Sequence, residues 1–282
     1  MADRPLQTLV SADRPVQQCR DIFVRQLGCA IDELGERQPN VHGARKQLKR
    51  ARATLRLLRP AVGDESYRDE NIAARDAARP LSKARDEEAL NDTLERLGEH
   101  FGTTIPRAQV RQSAYTVSTK QLADIKAALK KSMTRARAWQ PDIAGWEPIA
   151  TGLRATYRRG RRAMDTARKG RATDDLHEWR KQTKYLWHQL QILTPLAPGP
   201  VGAMADEFHH LADYLGDEHD LAVLRERLAA SAMPLIRKRS EELQNKAFAL
   251  GERLYADKPK AFLSCVEKHW TQWQRQERRD TD

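Results

Sequence analysis

The chain has 282 residues, 40% of them hydrophobic and 6% aromatic, enough for one large or two modest folded units. Its formal net charge is +11, and because residues 201–282 hold 13 Lys/Arg against 15 Asp/Glu, the first 200 residues carry +13. No run approaches the ~20 apolar residues of a membrane span, the N-terminus lacks a signal-peptide core, and the three cysteines have no disulfide or zinc spacing, so we expect a cytoplasmic protein with no membrane partner.

The predicted elements are helices throughout. Residues 1–13 are expected to form a flexible N-terminal tail, and Pro15 opens a helix with an apolar face at helical period. Pro39 ends it, and Asn40 is a candidate N-cap for a second, antiparallel helix over residues 41–59, which should stop before Pro60. Further helical patterns span about 64–99, 119–139, 148–169, 174–194, 203–230, 234–256 and 258–278, and a loop with an extended piece at 110–117 spans about 100–117. No alternating β-branched run competes, so the predicted fold class is all-α.

The helix at 41–59 carries two stripes side by side. Its apolar stripe recurs in steps of three and four: Val41, Ala44, Leu48, Ala51, Leu55 and Leu58. Its cationic stripe follows one residue later, roughly 100° around the axis: His42, Arg45, Lys49, Arg52, Arg56 and Arg59. At ~1.5 Å per residue the cationic stripe extends over roughly 25 Å, far more than one phosphate group needs. A long polyanion would fit it.

A basic stripe on a helix is more often a solvated face than a binding site. Solvated faces usually interleave Glu with Lys or Arg, which relieves the repulsion between cations. Residues 40–59 contain seven Lys/Arg and no Asp or Glu, which favours a bound polyanion. A further cationic row lies on the helix predicted at 148–169: Arg154, Arg158, Arg161 and Arg168.

The sequence also contains an internal repeat. VHGARKQLKRARATLRLL at 41–58 aligns without gaps with LHEWRKQTKYLWHQLQIL at 176–193, which pairs His42 with His177 and Lys49 with Lys184. LSKARDEEAL at 81–90 aligns similarly with LGDEHDLAVL at 215–224. A period this long indicates a duplicated bundle rather than a solenoid. We therefore expect two helical repeats, about 14–140 and 148–278, whose basic rows face one groove.

These motifs, in this order, resemble the CHAD family of helical domains, which are named for their histidines. The resemblance rests on the V-H-x-x-R-x-x-x-K pattern at His42, the RD at Arg85 and Asp86, the YRRGRR run from Tyr157, LHEWRKQTK and LGDEHDLAVL. It covers roughly residues 14–278 as a single domain. It implies two four-helix bundles related by a pseudo-two-fold axis around a basic groove or channel that binds inorganic polyphosphate, often at polyphosphate granules.

The resemblance also implies the binding residues and no cofactor. It maps polyphosphate binding to His42, Arg45, Lys46, Lys49, Arg52 and Arg56, to Arg154, Arg158 and Arg161, and to His177, Arg180, Lys181 and Lys184. Arg and Lys suit phosphate oxygens, and a histidine adds charge when protonated, so affinity should depend on pH. Trp187 and His188 stand where the family more usually has Arg then Tyr, which predicts a shorter second row.

Nucleic-acid binding is the main alternative, because a pI near 9.7 and basic helices are also its electrostatic signature. Single-strand binders interleave stacking aromatics with their cations, and duplex readers add Asn or Gln at base edges. The stripe at 41–59 contains no aromatic residue. Trp179 and Trp187 occupy apolar positions of their helix, where core packing is expected.

A metal-dependent phosphohydrolase is the weaker alternative. His209, His210, His219 and Asp220 are the residue types of helical metal sites, where a metal activates water. However, the two adjacent histidines point roughly 100° apart on a helix, and no further Asp or Glu lies at a spacing that would complete a metal site. There is also no Gly-rich phosphate loop. The sequence therefore predicts a binding module and not an enzyme.

Overall fold

The structure, a computed structural model, describes residues 7–35, 39–83, 86–105, 117–140, 145–227 and 232–281. The regular elements in these ranges are helices, which confirms the all-α class. They are α1 Pro15–Glu33, α2 Val41–Lys83, α3 Asp86–Phe101, α4 Thr119–Arg137, α5 Glu147–Gly170, α6 Thr173–Leu193, α7 Pro198–Arg225, α8 Met233–Leu254 and α9 Pro259–Thr281, with a 3-10 turn at Thr194–Leu196. The side chains of Arg85 and Asp86 and most of the expected loop at 100–117 lie outside the described residues. None of the helices described is long and apolar enough to cross a membrane.

Two helix boundaries differ from the prediction because of proline. Helix α2 continues past Pro60 and changes direction at Gly63, whose φ of 81° and ψ of 166° suit glycine alone. Its second segment runs on through Pro80. Helix α7 begins at Pro198 rather than near residue 203, because a proline in the first turn lacks only an N–H that has no partner within the helix.

Helices α1 and α2 form an antiparallel pair, as the short connection predicted. The Oδ1 atom of Asn40 accepts from the backbone N–H of Gly43 at 2.9 Å, which confirms the N-cap. The Nδ2 atom of Asn40 donates to Glu33 at the end of α1 at 2.7 Å. Further along α2, the hydroxyl of Thr54 donates to Gln26 at 2.7 Å. Residues further along α2 thus bond to residues earlier in α1, as expected for antiparallel helices.

The main hydrophobic core takes side chains from both halves of the chain. The apolar stripe of α2 is buried in it from Ala44 to Leu58, as predicted. Helix α5 approaches α2 closely, because a Cβ added at Gly152 would lie 2.4 Å from the backbone oxygen of Leu57. Side chains from α6 and α9, such as Trp179 and Val266, complete the same core.

Helix α3 packs against the second half of the chain through a second, smaller hydrophobic core. Leu90, Leu94 and Leu97 of α3 are buried with side chains of α7 and α8, namely Leu221, Leu224, Ile236 and Leu243. Helix α3 lies in the first half of the chain, in the first predicted repeat, and packs here against helices of the second half. This packing makes α3 one wall of the site described below.

The segment before α1 is packed against the fold and is not the flexible tail that the sequence predicted. Leu9 is buried, and its backbone N–H donates to the oxygen of Ile192 at 3.0 Å. The N–H of Ala12 donates to a carboxylate oxygen of Glu277 on α9 at 2.6 Å. Burial of Leu9 and these backbone hydrogen bonds order residues 7–13. Residues 1–6 lie outside the described part of the chain.

Candidate functional site

A cavity of about 580 Å³ opens between α2, α3, α6 and α7. Six side chains predicted from the sequence line it, four from α2 and two from α6: His42, Arg45, Lys46, Lys49, Arg180 and Lys184. The cations therefore come from both copies of the repeat. Their charges need an anion or nearby acids to offset the repulsion between them.

The crossing of α2 and α6 brings the two sets of cations together. At this crossing the buried amide of Gln189 donates from Nε2 to the backbone oxygen of Ala53 at 3.0 Å. A hydrogen bond that is shielded from water holds the two helices at a fixed position along each other. Arg45 and Lys49 then lie on the same side of the crossing as Lys184.

Acidic side chains line the wall that α7 contributes, and only Asp220 among them was considered from the sequence, for a metal site. Asp213, Asp217 and Asp220 recur in steps of four and three along one face of α7. Arg96 of α3 lies 2.6 Å from Asp217 and 3.9 Å from Asp220. Asp217 and Asp220 belong to the LGDEHDLAVL motif, so this motif was the sequence feature that could have predicted the acidic wall. Arg96 offsets part of their charge, so the cavity remains cationic on the α2 and α6 side.

His177 and His219 meet at the edge of the cavity. Their Nδ1 atoms are 3.3 Å apart, and their ring centres are 4.6 Å apart. Burial and then the neighbouring charges of Arg180, His177, Lys49 and Lys184 lower the pKa of His219 to about 3. Desolvation, Arg180 and Lys181 also lower the pKa of His177. Both rings are therefore neutral at pH 7 in the unliganded protein.

The structure separates the roles of the two tryptophans of α6. Trp179 is fully buried, which confirms core packing for that residue. Trp187 is half-buried: it packs against the main core, as expected, and it also lines the cavity, which the sequence did not predict. Its ring stacks on His209 with centres 3.9 Å apart and lies 4.3 Å from His188.

His188 adds no charge to the cavity at neutral pH. Its side chain is almost completely buried, and its Nδ1 lies 3.0 Å from Oε1 of Gln191. Burial, above all, and the neighbouring cations Arg50, Lys184 and Lys49 lower its pKa to about 3. The cationic row on α6 therefore ends at Lys184.

Arg52 and Arg56 continue the α2 row beyond the cavity and are held by aromatic rings and an amide. The guanidinium of Arg56 lies 3.7 Å from the centre of the Tyr185 ring and donates to the backbone oxygen of Arg52 at 2.8 Å. Arg52 donates to Oδ1 of Asn71 at 3.2 Å. Burial lowers the pKa of Arg56, although the side chain stays charged at neutral pH. This second group of cations is thus pre-positioned.

Besides Arg52, Arg56 and His177, four other predicted residues lie outside the cavity lining. Lys181 forms an ion pair with Glu178 on its own helix, and Glu178 also accepts from Gln182 at 2.7 Å. The three predicted arginines of α5 lie outside the cavity lining, two of them exposed and the third half-buried: Arg154, Arg158 and Arg161. Their neighbour Arg159 lies close enough to Arg56 and Tyr67 for its charge to act on both. The charge of Arg159 therefore acts on the α2 row.

The histidines that suggested a metal site lie in separate contacts. His209 is 3.6 Å from Asp213 on the same helix, whereas His219 contacts His177. Within the ranges that the structure describes, no three His, Cys, Asp or Glu side chains are grouped so as to hold a metal ion.

Comparisons with known proteins give one result. A family model described as the CHAD domain matches residues 23–229. The match contains all four helices that form the cavity, α2, α3, α6 and α7. Searches of curated proteins and of solved structures found no match to the chain.

Proposed function

Because the chain belongs to the CHAD domain family, we propose that it binds inorganic polyphosphate in the cavity and along the cationic row that leaves it. The observation that carries this proposal is the cavity itself, which gathers Arg45, Lys49 and Lys184 from two distant parts of the sequence. Polyphosphate carries about one charge per unit and offers only oxygen acceptors. Lys and Arg side chains supply the matching charges and donors.

An extended ligand suits the arrangement better than a single phosphate. Arg45 and Lys49 lie in the cavity, and Arg52 and Arg56 follow on the same face of α2 in steps of three and four. From Arg45 to Arg56 the row is roughly 16 Å long at ~1.5 Å per residue. A polyphosphate chain leaving the cavity meets the pre-positioned group around Arg56, so several phosphates are bound at once.

We also propose that the site is shared by two related four-helix bundles. Ala53 and Gln189, which bond at the helix crossing, lie within one residue of positions that the repeat makes equivalent. Corresponding helices also make corresponding contacts, since α1 packs on α2 and α4 while α5 packs on α6 and α9. Both observations support a pseudo-two-fold axis near the crossing.

The contacts of the aromatic ring in the cavity support polyphosphate over nucleic acid. A nucleic acid gains affinity when its bases stack on aromatic side chains. Trp187 already stacks on His209 and lies against His188, so a base would have to displace one of them. The proposed activity is binding without hydrolysis, and by this binding the protein would be recruited to polyphosphate granules.

The test is a titration with long-chain polyphosphate at physiological salt, with tripolyphosphate, RNA and duplex DNA as competitors. We expect saturable binding that either nucleic acid displaces less well per phosphate. Competition by RNA or DNA at equal strength per phosphate would instead favour the nucleic-acid alternative. Release of phosphate in the presence of a divalent metal, lost in His219→Ala, would contradict binding without turnover.

A further inference from the structure

We infer that His177 and His219 form a proton-accepting pair in the binding site, so that polyphosphate binding takes up a proton. This inference rests on the proposed function and deepens it, because it adds His219 to the binding residues and makes affinity depend on pH through a named pair. Neither the repeat nor the resemblance assigned this role to His219.

The distance between the two Nδ1 atoms determines how many protons can lie between the two rings. The two Nδ1 atoms are 3.3 Å apart, a distance at which one N–H can donate to the other ring's bare nitrogen. A proton on both Nδ1 atoms would place two N–H groups against each other, so the contact holds one proton. A singly charged pair keeps this hydrogen bond and donates from both Nε2–H groups.

Desolvation, together with the surrounding cations, keeps the pair neutral when no ligand is bound. Desolvation acts first on both rings, and cations from two helices add to it. The charged or titratable groups that face the pair or share its cavity are Asp174, Glu178, Arg180, Lys181 and Lys184 of α6, His42, Arg45, Lys46 and Lys49 of α2, Asp213, Asp217 and Asp220 of α7, and Arg96 of α3. Arg96 already bonds Asp217, and Lys181 already bonds Glu178, so two of the acids are engaged elsewhere. The cations nearest the pair therefore dominate.

A bound polyanion reverses this balance. Its charges screen Arg180, Lys49 and Lys184 from the pair and attract a proton directly, so the pKa of the pair rises. Because the bound state then has the higher pKa, it binds more protons than the free state, and affinity increases as the pH falls. The two rings act as one coupled unit that takes up about one proton. Each proton taken up changes the binding constant by up to about tenfold per pH unit.

The experiment is isothermal titration calorimetry with long-chain polyphosphate at pH 6, in two buffers with different enthalpies of ionisation. The difference in heat gives the number of protons taken up on binding. The wild type is compared with His177→Gln/His219→Gln, with the single variant His219→Gln, and with His210→Gln. His210 is an exposed histidine on α7 outside the cavity lining, so it serves as the matched control. His42 is unchanged in all variants.

We expect the wild type and the control to take up about one proton more than the double variant. The single variant His219→Gln should also take up fewer protons than the wild type, because His177 has lost the ring that shares its proton. Circular dichroism confirms folding, and the single variant carries the comparison if the double variant does not fold. Equal proton uptake by wild type and His219→Gln overturns this inference while leaving polyphosphate binding in place. Absence of binding by the wild type overturns both proposals.

Discussion

The guanidinium carbon of Arg56 lies 3.7 Å from the centre of the Tyr185 ring. The contact joins the two repeated helices, α2 and α6, outside the cavity. Tyr185 is buried and Arg56 is half-buried, so the negative face of the ring offsets part of the desolvation of the guanidinium. The aromatic ring thus keeps a charged side chain in position without a carboxylate that would compete with phosphate.

Replacement of Tyr185 should test this contact. We expect Tyr185→Phe to retain most of the interaction and Tyr185→Leu to lose about 0.5–2 kcal/mol of unfolding free energy in cation–π energy, in addition to packing effects. Urea denaturation measures the change. The same substitutions in an Arg56→Met background separate the pair energy from packing. A Tyr185→Leu cost that is equal in both backgrounds would mean that the ring only fills space.

The cavity cations should determine both affinity and its salt dependence. Arg45→Gln/Lys49→Gln/Lys184→Gln removes three cavity charges, and we expect weaker binding of long-chain polyphosphate. The slope of log K against log salt should become shallower by about 2–3, on the basis of 0.7–0.9 per phosphate contact in nucleic acids. Fluorescence anisotropy at four or more salt concentrations gives both quantities.

A matched control for these charges lies on α4. Lys130→Gln/Lys131→Gln/Arg137→Gln removes the same net charge from exposed positions that do not line the cavity. This variant should keep nearly the wild-type slope. Equal losses in the two triple variants would show that polyphosphate responds to net charge alone, and the cavity would then not be the site.

The close approach of α5 to α2 should not tolerate a side chain at residue 152. A Cβ there would lie 2.4 Å from the oxygen of Leu57, so Gly152→Ala forces the helices apart. We expect a loss of about 1–3 kcal/mol in unfolding free energy, measured by urea denaturation. Gly170→Ala on the same helix meets nothing within 4 Å and serves as the control. If Gly152→Ala left the free energy of unfolding unchanged, the two helices would not be held this closely.

His188 should make the protein sensitive to acid. Its pKa is about 3 in the folded protein against an ordinary 6.5, so between these values the unfolded chain binds a proton that the folded protein does not. The contribution of His188 to the free energy of unfolding is therefore fully present above about pH 6.5. Below that pH it falls by about 1.4 kcal/mol per pH unit. Urea denaturation from pH 7 to pH 4 measures the slope.

The variant that isolates this effect is His188→Asn. It loses some stability at pH 7, because the packing and the contact with Gln191 change, but its stability should fall less steeply with acid. His210→Gln should retain the wild-type slope. Parallel pH profiles for wild type and His188→Asn would mean that His188 is protonated in the folded protein.

Much of the fold followed from local sequence patterns. The apolar stripe of α2 and its N-cap at Asn40 were predicted correctly, since a helical period and a capping side chain act within a few residues. Proline was the weaker signal. Pro60 lies inside α2, and the chain leaves helical geometry only three residues later, at Gly63. Pro198 begins α7, because a proline in the first turn lacks only an N–H that has no partner within the helix.

The candidate site was predicted only in part. Arg45 and Lys49 of α2 share the cavity with Arg180 and Lys184 of α6, the residues with which the sequence repeat pairs them. Lys181 and the α5 arginines do not line it, because a row of charges on a helix gives the direction of each side chain but not which neighbour will face it. Arg96, Asp217 and His219 entered the site through the packing of α3 and α7, which no local pattern encodes.

The sequence by itself determined the all-α class, the excess of cations in the first 200 residues and the repeated basic helices, because charge and helical period are properties of short segments. Only the tertiary structure decided which cations share a cavity, that an acidic wall faces them and that His177 meets His219. The residues that line the cavity lie up to about 180 positions apart in the sequence. Their distances depend on how whole helices pack and cross, as at Ala53 and Gln189, and such packing is set by the entire core rather than by any single segment.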